Sequence, residues 1–142
     1  MTKDINKIKI SVNMNKTILI TGASSGIGEG CARKFASQGA RLILNARSTD
    51  KLTALAHELK EKYNAECYVL PFDVCNRESA AAALNALPEE WKSIDVLINN
   101  AGLAIGVDKE YEGNLEEWDT VIDTNIKALL SMTRLVVPGM VE

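Results

Sequence analysis

Thr21-Gly22-Ala23-Ser24-Ser25-Gly26-Ile27-Gly28 is the stretch from which the rest of the chain takes its meaning. The apolar run before it, Thr17-Ile18-Leu19-Ile20, has the unbroken hydrophobicity of a strand buried on both faces. Glu29 to Gln38, after it, reads as a helix. Glycine at a strand-to-helix turn tolerates positive φ and lets a ligand come against the backbone. The helix behind the turn aims unpaired N–H groups and the positive end of its dipole at whatever sits there. A pyrophosphate suits such a turn.

The spacing is G-x-x-x-G-x-G rather than the commoner G-x-G-x-x-G. Three glycines alone also fit a turn that only packs a helix on a strand, so the flanking segments decide. In the first helix Ile27, Cys31 and Phe35 fall at i, i+4 and i+8 and read as its apolar face, and Gly39 ends it. Arg41-Leu42-Ile43-Leu44 is a second continuous apolar strand, followed by the loop Asn45 to Thr49. A helix from about Asp50 to Lys62 carries Leu52, Leu55, Ala56 and Leu59 as its stripe, with the single histidine, His57, beside it at the surface. Glu66 to Phe72 reads as a third strand and runs into Asp73-Val74. An alanine-rich helix from about Asn76 to Leu87 ends at Pro88. Ile94 to Ile98 is a fourth strand, leading into Asn99-Asn100-Ala101-Gly102. Asn114 caps the next helix, with Glu117 completing a capping-box pattern and Leu115, Trp118, Val121 and Ile122 as the apolar face. A last helical stretch holds Ile126, Leu129, Leu130, Thr133 and Val137.

Strands alternating with helices across short connections imply an α/β fold, a doubly wound parallel sheet. Doubly wound topology orders the strands 3-2-1-4, with a crevice at the carboxyl ends of strands 1 and 4. The glycine turn and Asn99-Asn100-Ala101-Gly102 both fall there. Residues 1–14 are polar and lysine-rich and read as a disordered extension; residues 15–142 read as one domain.

Composition excludes several functions. The chain has 142 residues, about one domain's worth, and is 46% hydrophobic, enough for a real core. A net charge of -3 supplies no basic field, which argues against nucleic acid as a partner. No apolar run approaches a membrane span and no signal-peptide core is evident. Cys31, Cys67 and Cys75 lack C-x-x-C spacing and read as small buried hydrophobes, and their odd number suits a reducing cytoplasm.

Four segments in this order, Thr21 to Gly28, Asp73-Val74, Asn99 to Gly102 and Asn125, resemble the short-chain dehydrogenase/reductase family from about Met14 onward. Leu42 to Leu52 and Leu97 to Glu142 are further similar to its NADP-dependent 3-hydroxy acid dehydrogenases, a group that includes serine and allo-threonine 3-dehydrogenases. The resemblance implies a Rossmann-like fold and hydride transfer between a nicotinamide and a secondary alcohol or ketone, with a 3-hydroxy acid as substrate class. It also implies residue roles. Gly22, Ser24, Ser25, Gly26, Ile27 and Gly28 would line the pyrophosphate and its ribose. Asp73 and Val74 would sit against the adenine, and Asn99, Ala101 and Gly102 would wall the ribose. Asn125 would belong to the catalytic set, positioning a water in the proton relay. The helices from Trp118 to Val137 would form a homo-oligomer contact.

Arg47 is informative by its own chemistry. A fold of this kind that selects NAD places an acid after the second strand, yet Asn45-Ala46-Arg47 stands there and the first acid is Asp50. A guanidinium at that loop matches the 2′-phosphate of NADP(H), with the Ser48 hydroxyl beside it. The family's chemistry further needs a tyrosine acid/base with a lysine four residues on, which lowers the tyrosine pKa. Four residues beyond Tyr63, Tyr68 and Tyr111 stand Cys67, Phe72 and Leu115, so no Tyr-x-x-x-Lys occurs. The chain thus reads as the coenzyme-binding portion of such an enzyme, cut within a helix. A non-catalytic dinucleotide-binding module is the alternative. A sugar-nucleotide epimerase of the extended family is disfavoured by Asn99-Asn100-Ala101-Gly102.

Overall fold

The computed structural model describes residues 14–142. Four parallel strands, β1 (Thr17–Ile20), β2 (Arg41–Leu44), β3 (Cys67–Val69) and β4 (Val96–Ile98), form one sheet in the order β3-β2-β1-β4. This is the order expected from the alternation of elements. β1 and β2 are buried on both faces, which is why they are apolar without alternation, while β3 and β4 at the sheet's edges are half-buried. Ile18, Ile20, Leu42 and Leu44 face a cluster completed by α1 (Gly26–Ala36) and α2 (Thr49–Tyr63). Leu19 and Ile43 face the opposite cluster, which draws on α3 (Arg77–Asn85), α4 (Glu89–Lys92) and α6 (Ala128–Met140). These six side chains are 0% exposed. Each contributes roughly 1.5–3 kcal/mol by leaving water.

Side-chain caps fix where helices start. Ser48 Oγ accepts from Lys51 N at 3.4 Å, and Asn76 Oδ1 from Ser79 N at 3.0 Å. Asn114 Oδ1 accepts from Glu116 N at 2.9 Å and Glu117 N at 3.4 Å, starting α5 (Leu115–Ile122). Each such cap is worth about 1 kcal/mol. A π-helical turn, Asp123–Lys127, joins α5 to α6.

Several expectations need correction. α1 spans Gly26–Ala36 rather than Glu29 to Gln38, and its buried face is Gly28, Ala32 and Ala36. Ile27 is 79% exposed. Cys31 and Phe35 are half-buried and pack against the α1–α2 cluster, so of the expected face only Ile27 turns outward. The third and fourth strands are shorter than the apolar runs, although pairing continues past β3 through Leu70 N to Leu44 O and Phe72 N to Ala46 O. The helix ending before Pro88 stops at Asn85, and the short α4 behind it brings Trp91 into the core. α5 has no fully buried residue, so its expected apolar face is largely in solvent. α6 buries Ala128, Met132 and Val136 and runs through Pro138. None of the cysteines is fully buried: Cys31 and Cys67 are half-buried and Cys75 is exposed. Burial pushes the Cys67 thiol up to about 11, which keeps it protonated at neutral pH. His57 is exposed on α2, 3.6 Å from Glu61.

The expected extension falls almost wholly outside the described residues. Met14, its last member, is half-buried against the α1–α2 cluster, with its N–H donating to Gln38 O at 2.8 Å. Among the described residues no helix is long and apolar enough to cross a membrane.

Candidate functional site

A crevice of about 680 Å³ opens at the carboxyl ends of β1 and β4, where the strand order reverses. Three walls make it: the glycine turn after β1, the loop Asn45–Arg47 after β2 with Phe72–Cys75 after β3, and the segment Asn100–Leu103 with Thr120, Asp123 and Thr124.

The glycine turn is held from two sides. Thr21 Oγ1 accepts from both Asn100 N and Ala101 N at 3.0 Å and lies 3.3 Å from Ile98 O. Asn100 Nδ2 donates to Thr21 O and Gly22 O, each at 3.1 Å. From the other side, Ala23 N donates to Asn45 O at 2.8 Å. A Cβ on Gly28 would run into Gly22 O and Asn100 Nδ2, so the glycine permits α1 to enter against the turn. Gly22 adopts φ +64°, a conformation that glycine reaches without steric cost. Ser25, before α1, makes no side-chain cap, which leaves the first N–H groups of the helix for something else.

Of the residues singled out from sequence, Gly22, Ser24, Ser25, Gly26, Ile27, Arg47, Asp73, Val74, Ala101 and Gly102 line this crevice. Four stand off it. Gly28 lies beneath the turn. Ser48 caps α2. Asn99 points to the far face, its Nδ2 donating to Thr133 Oγ1 at 3.0 Å. Asn125 sits in the π-helical turn and clamps the backbone of Leu103, accepting from its N–H at 2.8 Å and donating to its carbonyl at 2.7 Å. A Cβ on Gly102 would stand 3.1 Å from Asn125 Oδ1, so that glycine allows the close approach.

Arg47 is exposed at the crevice edge and makes no ion pair among the described residues. Asp73 Oδ1 accepts from Cys75 N at 2.9 Å, which folds its loop into a tight turn. Asp123 is paired with Lys127 at 2.8 Å, and that hydrogen bond raises the lysine pKa.

Sequence reasoning passed over Thr21, Asn45, Asn100, Cys75 and Thr124. Cys75 Sγ and Thr124 Oγ1, on facing walls, are 3.4 Å apart. A threonine and an asparagine at the ends of adjacent strands were the available signal for the Thr21–Asn100 tie, and their function depends on a pairing that sequence order does not display.

The short chain dehydrogenase family profile matches residues 16–142. The chain belongs to the short chain dehydrogenase family. Relatives of this chain include the NADP-dependent 3-hydroxy acid dehydrogenase of Escherichia coli strain K12, 44% identical over 125 residues, 88% of this chain and 49% of that protein. The serine 3-dehydrogenase of Agrobacterium fabrum is 40% identical over 129 residues, 91% of this chain and 50% of that protein. The chain spans about half the length of these curated relatives. Among solved structures, the closed form of a serine dehydrogenase complexed with NADP+ superposes with a TM-score of 0.80 at 43% identity, covering 88% of this chain and 49% of that one. An alcohol dehydrogenase from Thermococcus sibiricus, complexed with 5-hydroxy-NADP, gives a TM-score of 0.83 at 34% identity, covering 88% and 53% respectively.

Proposed function

We propose that the crevice binds NADP(H) and that the chain supplies the coenzyme-binding part of a short-chain dehydrogenase interconverting a secondary alcohol and a ketone, with a 3-hydroxy acid as substrate class. The observation that carries the coenzyme choice is Arg47, an exposed guanidinium on the crevice edge with no ion-pair partner among the described residues, in a loop without an acid. The NADP-dependent relatives and the NADP-complexed structures support the same choice.

The residues present fit the coenzyme. The uncapped start of α1 and the turn Gly22–Gly28 would receive the pyrophosphate, with Ser24, Ser25 and Ile27 at the adjoining ribose. Arg47 would hold the 2′-phosphate. Ser48 still has a hydroxyl proton to donate there, since its oxygen acts only as an acceptor in the α2 cap. Asp73 and Val74 would take the adenine, Asp73 keeping one carboxylate oxygen free of Cys75 N. Ala101 and Gly102 would wall the ribose, while Asn99 holds the strand end to α6. Asn125 has both amide atoms committed to Leu103, so its part in a proton relay would be to fix the wall beside which a water sits. When bound, the nicotinamide supplies the acceptor or donor of a hydride. The exposed apolar residues of α5 and α6 would meet a second copy of the chain.

The second reading is a non-catalytic dinucleotide-binding module, favoured by the absence of Tyr-x-x-x-Lys from these 142 residues. The test is titration of the chain with NADP and NAD, together with an assay of turnover on 3-hydroxy acids. NADP binds more tightly than NAD, and Arg47→Asp weakens NADP on the order of ten- to a hundredfold, the value of a charge-assisted hydrogen bond. Equal NADP affinity in parent and variant removes Arg47 from the site. Coenzyme binding without turnover is the expected behaviour of this chain alone, and measurable turnover means that the tyrosine and lysine are dispensable.

A further inference from the structure

Asn45 is the first residue of the Arg47 loop and is 0% exposed, yet it contributes to the crevice lining. Its side-chain Nδ2 donates to two carbonyls of the neighbouring segment, Leu70 O at 3.0 Å and Phe72 O at 3.1 Å. Its Oδ1 is buried and has no hydrogen-bond partner among the described residues. The amide orientation is fixed by these neighbours, because turning it over would set an oxygen against two carbonyl oxygens. Its backbone is engaged as well: Asn45 N donates to Ile20 O at 3.0 Å and Asn45 O accepts from Ala23 N at 2.8 Å. One residue therefore touches the glycine turn, opens the Arg47 loop and ties down the Phe72–Cys75 segment.

A buried acceptor without a donor is costly, and a native protein that retains one has a reason for keeping the residue. Leucine has the same branched shape and would leave no orphan of its own. Neighbouring β2 positions Leu42 and Leu44 are apolar and equally buried. The polar side chain stands where β3 has ended: regular pairing with β2 stops at Val69, and only single backbone bonds reach Leu70 and Phe72. Its two donor bonds replace the missing ladder over that stretch.

We propose that Asn45 is a positioning residue of the coenzyme crevice, holding the Phe72–Cys75 wall in register with the glycine turn through its paired carbonyl bonds. It acts through Asp73 and Val74, and this role rests on the proposed reading of the crevice as a coenzyme site. Because the wall it holds faces the adenosine common to both coenzymes, loss of Asn45 weakens NADP and NAD together. Loss of Arg47 weakens NADP alone.

The experiment compares the parent chain with Asn45→Leu and Asn45→Asp, both of which keep the side-chain shape, by amide-exchange mass spectrometry without coenzyme and by titration with NADP and NAD. Asn45→Leu removes the donor, and Asn45→Asp replaces it with an acceptor. The expected result for Asn45→Leu is faster exchange confined to residues 70–75, unchanged exchange over Thr17–Ile20, and at least a tenfold loss of affinity for both coenzymes with their ratio preserved. Asn45→Asp shows a larger change of the same kind. Should Asn45→Asp fail to fold, the leucine variant carries the comparison alone, and should both fail to fold, Asn45 is a general core residue and the inference falls. It falls equally if Asn45→Leu exchanges and binds like the parent, or if exchange rises to the same extent across β1. A parent chain that binds neither coenzyme overturns the coenzyme reading instead, and the regional exchange pattern then decides whether Asn45 holds the wall.

Discussion

β1 has β2 on one side and β4 on the other, and the two flanks are built differently. On the β2 side the strands pair over four residues, every apolar side chain is fully buried, and α1 and α2 close the face. On the β4 side pairing covers three residues, all of them half-exposed, and the helices that follow leave large apolar side chains in water. Trp118, Ile122, Ile126 and Leu129, spaced three or four apart, are between 39% and 53% exposed. Yet both flanks contribute equally to the crevice. The contrast teaches that stability and site are carried by different parts of this molecule. The closed flank holds the fold, and the open flank supplies half a site on a surface that still has apolar area to cover.

Four tests sharpen or break that contrast. The largest effect belongs to the closed flank: Leu42→Ala costs about 2–5 kcal/mol, whereas Leu130→Ala, at a residue 62% exposed, stays within about 0.5 kcal/mol. Denaturant midpoints check both, and similar losses would erase the distinction between flanks. Next comes the joint between them. Gly28→Ala forces a methyl against Gly22 O and Asn100 Nδ2, at a cost of about 1–3 kcal/mol, with coenzyme binding lost as the turn shifts. Unaltered NADP binding would show that the turn relaxes without consequence.

A smaller effect on stability, but a clear one on assembly, is expected on the open flank. Ile122→Glu combined with Ile126→Glu leaves stability within about 0.5 kcal/mol and abolishes self-association seen by sedimentation. A parent chain that stays monomeric at all concentrations refutes the proposed contact between copies. The smallest effect is electrostatic. Arg33 joins α1 to α2, 2.6 Å from Glu29 and 2.9 Å from Glu58. Hydrogen bonding to Arg33 holds the Glu58 carboxyl below its usual range and, reciprocally, raises the arginine. A carboxyl depressed on folding stabilises the native state above its ordinary titration range and loses that contribution as the pH falls through the depressed value. Glu58→Gln should therefore lower the melting temperature slightly at neutral pH and not at all in strong acid. A difference that persists in acid would assign the effect to packing.

The strand order and the position of the crevice were legible in the sequence because each rests on a local signal, whereas Asp73, Val74, Ala101 and Gly102 were placed at it only through the family resemblance. Unbroken apolar runs mark β1 and β2 as doubly buried, the cap Asn114 marks a helix start, and three glycines mark the turn. Other features were decided only by tertiary packing. Ile27 is apolar and helical, yet it lies in the crevice because α1 presses its glycine and alanines against the sheet. Asn99 and Asn100 are identical neighbours, and only the turn of the backbone after β4, where Asn100 N donates to Ile98 O, sends one to α6 and the other to the glycine turn. Asn45 looked like loop chemistry, and its weight comes from two carbonyls 25 and 27 residues away. Periodicity and turn chemistry are properties of neighbouring residues, so a sequence carries them. Which buried polar group meets which carbonyl depends on strands brought side by side, and that is settled only when the sheet closes.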